Sequence, residues 1–139
     1  KYRGRIFVNI DDTGLGGGVT DRLAEVKREQ HLSRLEIVPV NFGAKVPDQD
    51  AAAYFADITS YMWSNIRDQM EAGKLRLPND TELGAQLSVR KYTVTSGGKI
   101  QLESKKDMKK RSIDSPDRAD AVALTCFVRK IFDATSLIS

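Results

Sequence analysis

One cysteine, one histidine and one tryptophan occur in the 139 residues, and no apolar run approaches the roughly 18–20 residues that a membrane-crossing helix needs. The single cysteine, Cys126, excludes a disulfide within the chain and suits a reducing compartment. It stands in an Ala/Val/Leu run and reads as a small buried apolar residue rather than a nucleophile. His31 has no cysteine or second histidine at ligand spacing, so a His/Cys metal site is excluded. The opening Lys1-Tyr2-Arg3-Gly4-Arg5 leads directly into an apolar strand, without the pattern of a secretory leader. No glycine–lysine loop of the P-loop kind is present.

What is there suffices for one domain with a modest core: the chain is 40% hydrophobic and 29% charged. The net charge of +3 is too mild to identify a polyanion-binding protein by itself. Its distribution says more, because Lys105, Lys106, Lys109, Lys110 and Arg111 crowd into one short stretch. On charge alone, a solvated face and a phosphate-contacting face are both open for it.

Arg5–Ile10 reads as a strand, followed by a turn rich in glycine and a helix over Val19–Glu29 with Val19, Leu23 and Val26 inward. Leu35–Val40 is a second strand, with Pro39 placing it at an edge or at its end. The order predicts a parallel pair with a crossover helix. A long helix is expected over Ala51–Ala72, its stripe made by Tyr54, Phe55, Ile58, Tyr61, Met62, Ile66 and Met70 and its end at Gly73. Asn79 or Asp80 is expected to cap a helix running through Leu87 that buries Leu83 and Leu87. Lys91–Thr95 and Lys99–Glu103 form a hairpin around Ser96-Gly97-Gly98. A last helix is expected over Pro116–Phe132, capped by Ser115, with Ala121, Leu124, Val128 and Ile131 inward.

Two acidic positions carry chemistry. Asp11 and Asp12 end the first strand and open a glycine-rich loop, where ligands of α/β sheets collect. Val19 stands where a dinucleotide fingerprint needs its third glycine, and a carboxylate before the glycines repels phosphate. A metal ligand fits better, although Asp12 and Thr13 also suit a plain turn or cap. Asp117 and Asp120 lie three apart and share a helix face. Acids are common in a first helical turn, where the dipole favours them. At the mouth of an apolar helix, however, two carboxylates call for a cation, and oxygen donors suit Mg²⁺ or Mn²⁺.

The stretch from Asp11 through Gly14-Leu15-Gly16-Gly17-Gly18 to Leu23 resembles the second acidic motif of bacteriophage terminase large-subunit nuclease domains. Pro39-Val40-Asn41-Phe42-Gly43 is similar to the strand and loop that follow it. Glu103-Ser104-Lys105-Lys106-Asp107-Met108-Lys109-Lys110-Arg111 and then Ser115-Pro116-Asp117-Arg118-Ala119-Asp120-Ala121 are similar to the C-terminal signature of that family. The resemblance covers nearly the whole chain.

It implies an α/β fold: a ribonuclease H-like mixed sheet flanked by helices, lacking the first strands and carrying a C-terminal β-hairpin. Residues 1–139 then form one nuclease domain, partial at its N-terminus. The implied activity is two-metal cutting of concatemeric double-stranded viral DNA during packaging, with two Mg²⁺ or Mn²⁺ ions. By position, Asp11 is the strand-end ligand, Asp117 the principal helix ligand and Asp120 its partner, with Asp12 open as the alternative to Asp11. Lys105, Lys106, Lys109, Lys110 and Arg111 would hold phosphates. Implied partners are double-stranded DNA and, through the full-length protein, the terminase small subunit and the portal; no membrane is expected, and the place is the host bacterial cytoplasm.

The family carries another catalytic aspartate on an upstream strand, and an ATPase motor, neither found in these residues. A fragment with an incomplete metal site is therefore expected, weak or inactive alone. Ile6 and Val8 would then lie on a strand edge that invites self-association. Two other readings stand beside this one. One is a non-catalytic DNA-binding or portal-docking piece of the same protein. The other is an actin-like ATP-binding domain, to which Asp12-Thr13-Gly14 is similar but which needs a second phosphate loop.

Overall fold

A computed structural model of the chain describes residues 4–14 and 17–127. Strand β1 (Ile6–Asp11), helix α1 (Gly17–Glu29) and strand β2 (Leu35–Val40) form the expected crossover unit. The strands pair in parallel from Ile6↔Leu35 to Asp11↔Val40. Asp12 N–H extends the ladder by donating to Val40 O at 3.0 Å. β2 turns Val38 and Val40 into the core, while Pro39 between them is exposed and lacks a donor to lose. Ile6 and Phe7 on β1 are 44% and 50% exposed, whereas Val8 is half-buried. Leu23 and Val26 of α1 are half-buried, but Val19, expected inward, is 56% exposed.

The single helix expected over 51–72 is two helices, α2 (Gln49–Tyr54) and α3 (Ile58–Glu71). Phe55 ends the first and Asp57 starts the second: the Asp57 carboxylate accepts from Ser60 N–H at 2.8 Å and from the Ser60 hydroxyl at 2.7 Å. The backbone between the helices is used elsewhere. Phe55 is extended and bridges Ile100, and Ala56 N–H donates to Ile100 O. The break rotates α3 relative to the expected stripe. Ile58, Met62, Trp63 and Ile66 are buried, while Tyr54 and Met70 are 66% and 48% exposed. Gly73 ends the helix in the left-handed conformation (φ +66°), as expected.

Helix α4 (Thr81–Val89) is capped by Asp80, which accepts from Leu83 N–H at 3.0 Å, and Leu83 is buried. Strands β3 (Tyr92–Val94) and β4 (Ile100–Leu102) form a separate antiparallel hairpin, so parallel and antiparallel pairing lie in two small sheets. Leu102 N–H donates to Ser60 Oγ at 2.9 Å, fastening the hairpin to α3. The basic stretch is itself a short helix, α5 (Lys105–Lys110), capped by Ser104.

Helix α6 (Asp117–Thr125) departs from expectation in cap and face. Pro116 is its N-cap rather than its first residue, and Ser115 does not cap it. Ala121 is exposed and Leu124 half-buried, while Ala119, Ala123 and Cys126 are buried. Small side chains on this face admit the helix closely against the core made by Val40, Phe42, Met62, Trp63, Ile66 and Leu83. Val128 and Ile131 lie outside the described residues.

Candidate functional site

The first turn of α6 sets the site. With no cap from its own chain segment, it uses a neighbour: Gln86 of α4 presents Oε1 to Arg118 N–H at 2.9 Å and to Ala119 N–H at 3.1 Å. Those are two of the donors that every helix start leaves unpaired. Arg118 reaches back to the start of α4, pairing with Asp80 and Glu82. Arg118 therefore balances α4 acids rather than Asp117 or Asp120. The two helix starts are locked side by side, which fixes the direction in which Asp117 and Asp120 point.

The two aspartates meet different surroundings. The Asp120 side chain is 7% exposed. Its Oδ1 accepts from Trp63 Nε1 and from Arg90 Nη1, each at 3.0 Å. Arg90 is equally buried; it donates through Nε to Glu103 O at 2.9 Å and lies 4.9 Å over the Trp63 ring. Burial draws the Arg90 guanidinium below its ordinary value, and Asp120 opposes that. Asp120 Oδ2 is fully enclosed, and Lys105 Nζ meets it in ion-pair contact at 2.8 Å.

Asp117 is 78% exposed, and its Oδ1 lies 3.5 Å from the same ammonium. The Ser115 hydroxyl, expected as a cap, donates instead to Asp117 Oδ1 at 2.5 Å. That bond, helped by Lys105, holds the Asp117 carboxyl below its ordinary range. Burial draws Lys105 down, but Asp120 and Asp117 together outweigh it and raise the ammonium. Two carboxylates, a guanidinium and an ammonium thus form a neutral set.

Asp11 stands apart from this set. Its Oδ1 accepts from Thr13 N–H at 3.0 Å, and its side chain is exposed. Asp12 accepts from the Thr20 hydroxyl at 3.1 Å, and the Thr13 hydroxyl accepts from Phe42 N–H. Asn9, on the same face of β1 as Asp11, donates to Leu124 O of α6 at 2.6 Å. Strand and helix are therefore in contact, yet among the described residues no three acids, histidines or cysteines gather as an ion-holding group. The structure joins Asp117 with Asp120 and leaves Asp11 and Asp12 separate.

The basic stretch divides in two. Lys105 is committed to the aspartates, Lys110 to Asp107 at 2.7 Å and Arg111 to Glu103 at 2.5 Å. Lys106 and Lys109 are exposed and enter no salt bridge with described residues. Reading the sequence missed Trp63, Arg90, Gln86 and the role of Ser115. Trp63 carried a signal: it is the only tryptophan, and it follows Met62 on the buried side of α3.

Solved structures decide the fold. At TM-score 0.73 and 18% identity, 88% of the chain superposes on a lysine-to-alanine variant of the nuclease domain of the large terminase subunit gp2 of bacterial virus Sf6, determined with manganese. The chain has the fold of a phage terminase nuclease domain. A calcium-containing structure of that gp2 variant matches at TM-score 0.73, and the unsubstituted gp2 nuclease domain at 0.70, each at 18% identity over 88% of this chain. The chain spans 65–66% of the length of these terminase domains. No protein-family profile matches the sequence, and no curated protein matches it. Asp11 stands at the carboxyl end of β1, the pole where α/β folds bind ligands, and the joined aspartates stand at the start of α6.

Proposed function

We infer that the chain is the nuclease part of a phage large terminase subunit and cuts double-stranded DNA with divalent metal ions during genome packaging. The carrying observation is the buried Asp120 carboxylate, whose enclosed Oδ2 is met by the half-exposed Lys105 ammonium at 2.8 Å beside Asp117. Oxygen donors of this kind fit Mg²⁺ or Mn²⁺. Asp117 and Asp120 would hold the ion, with Asp11, or Asp12 beside it, as the strand-end ligand. Bound there, such ions activate a water and stabilise the leaving oxygen of a phosphodiester.

The remaining residues have parts that need no ion. Trp63 and Arg90 hold Asp120 Oδ1, so the carboxylate cannot turn away. Lys105, 46% exposed on a flexible stem, keeps the pair neutral and is able to withdraw. Lys106 and Lys109, without salt bridges to described residues, are the members of the basic stretch most available to DNA phosphates, beside Lys105, Lys110 and Arg111. The small subunit and portal would be met through the longer protein, in the host cytoplasm.

The test is plasmid cleavage with Mn²⁺, by this chain and by the full-length protein that carries it. Cleavage by the full-length protein is expected to disappear in Asp117→Ala. Full activity in that variant would remove the assignment.

A further inference from the structure

The two oxygens of Asp120 are held unequally. A carboxylate oxygen offers about two lone-pair directions. Both at Oδ1 are taken, because Trp63 Nε1 and Arg90 Nη1 donate to it, each at 3.0 Å. These donors are fixed by packing. Trp63 is 9% exposed on the buried face of α3. The Arg90 side chain is buried at the end of α4, tied through Nε to Glu103 O at 2.9 Å and laid over the Trp63 ring. A turn of the carboxylate away from them would leave a buried indole N–H and a buried guanidinium unpaired, which is costly.

Oδ2 is met instead by Lys105 Nζ, at the tip of a side chain that is 46% exposed. A single ammonium on a flexible stem gives way far more readily than two packed donors. One oxygen of Asp120 is thus committed to the fold, and the other is held by a group able to leave. Asp117 shows no such division: it is 78% exposed, and its partners are Ser115 and Lys105.

This inequality bears on which ion the pair suits. Mg²⁺ and Mn²⁺ favour an octahedral shell of about six oxygens, which one oxygen per carboxylate serves well. Ca²⁺ takes roughly six to eight oxygens in a looser shell and often draws both from one carboxylate.

We propose that Trp63 and Arg90 are positioning residues that limit Asp120 to coordination through Oδ2 alone, and so bias the site against Ca²⁺ and toward Mg²⁺ and Mn²⁺. Both act through Asp120, and neither touches the ion. The proposal rests on the metal reading of Asp117 and Asp120 and adds to it the source of ion selectivity.

The experiment measures Mn²⁺ binding to the chain by electron paramagnetic resonance, and Ca²⁺ binding by displacement of the bound Mn²⁺. Amide shifts at 117–120 locate the ion. The parent is compared with Trp63→Phe, which keeps a ring and frees one side of Oδ1, and with Arg90→Lys, which keeps the charge. The ratio of Mn²⁺ to Ca²⁺ affinity is expected to fall severalfold in each variant, chiefly because Ca²⁺ binds more tightly. A second reading needs no folded variant of either residue. Infrared difference spectra of the parent with carbon-13-labelled aspartate separate one-oxygen from two-oxygen binding, and the band absent in Asp120→Asn belongs to Asp120. The one-oxygen signature is expected with either ion. A two-oxygen signature for Asp120, or an affinity ratio unchanged in both variants, overturns the proposal and leaves the metal reading standing. If Mn²⁺ does not bind at Asp117 and Asp120 at all, the metal reading fails and the proposal fails with it.

Discussion

Trp63 and Asp120 are joined by a buried hydrogen bond, indole Nε1 donating to Oδ1 at 3.0 Å, across 57 residues of sequence. The bond makes Asp120 a structural residue as well as a candidate ligand, and the two roles respond differently to mutation. Asp120→Ala would strand the buried Arg90 guanidinium and is expected to cost about 3–5 kcal/mol of stability. Trp63→Phe keeps a ring under Arg90 and removes one donor, so about 1–2 kcal/mol is expected. Urea unfolding of both variants checks the order. Equal stabilities would show that Arg90 does not depend on Asp120.

Gln86 is the next point of leverage. It caps α6 from another helix, so Gln86→Ala is expected to lose about 1 kcal/mol, the usual worth of a helix cap. Gln86→Glu keeps the acceptor oxygens and is expected to stay close to the parent. Denaturant midpoints separate the two. A Gln86→Ala chain as stable as the parent would mean that Ser115 or water takes over the cap.

Stability should fall at both ends of the pH scale, for different groups. Asp80 is held low by Leu83 N–H and Arg118, Glu103 by Arg111, Asp107 by Lys110, and Asp117 by Ser115. A carboxyl lowered by folding contributes stability above its ordinary range and loses it as pH falls through the folded value. The acid loss is therefore expected below about pH 4. Lys105 is raised, so its contribution is present below its ordinary value of 10.5 and is lost as pH climbs through the folded value. Urea midpoints across pH test both limbs, and Lys105→Met should flatten the alkaline one. An unchanged alkaline limb in that variant would contradict the pairing with Asp120.

Much of this was legible in sequence, in places where local signals agree. The β1–α1–β2 unit, the hairpin, the Asp80 cap and the Gly73 stop all followed from periodicity and turn chemistry. The division of α2 from α3 was written in Asp57 and Ser60, but the apolar stripe ran across it and outweighed the cap. The α6 cap was not legible, because Gln86 lies 32 residues from Arg118 and is brought there by packing. The same holds for the donors on Asp120, which come from α3 and from the end of α4. The aspartates were found by their pattern; how deeply Asp120 is held, and how exposed Asp117 is, required the fold.

Asp117 is accordingly the better probe of chemistry. It is exposed, its partners are Ser115 and Lys105, and its loss strands no buried charge. Asp117→Asn is expected to keep the fold, with a denaturant midpoint close to the parent's, while weakening any divalent-ion binding at the site. A large loss of stability would mean that Asp117 is tied more firmly into α6 than its exposure implies.

The most direct measurement is titration of the chain with Mn²⁺, followed by paramagnetic broadening of its backbone amides. Broadening centred first on Asp117, Asp120 and Asp11, and abolished in Asp117→Asn, is the expected result. Broadening centred away from those aspartates, or unchanged in Asp117→Asn, would contradict a metal site at the start of α6.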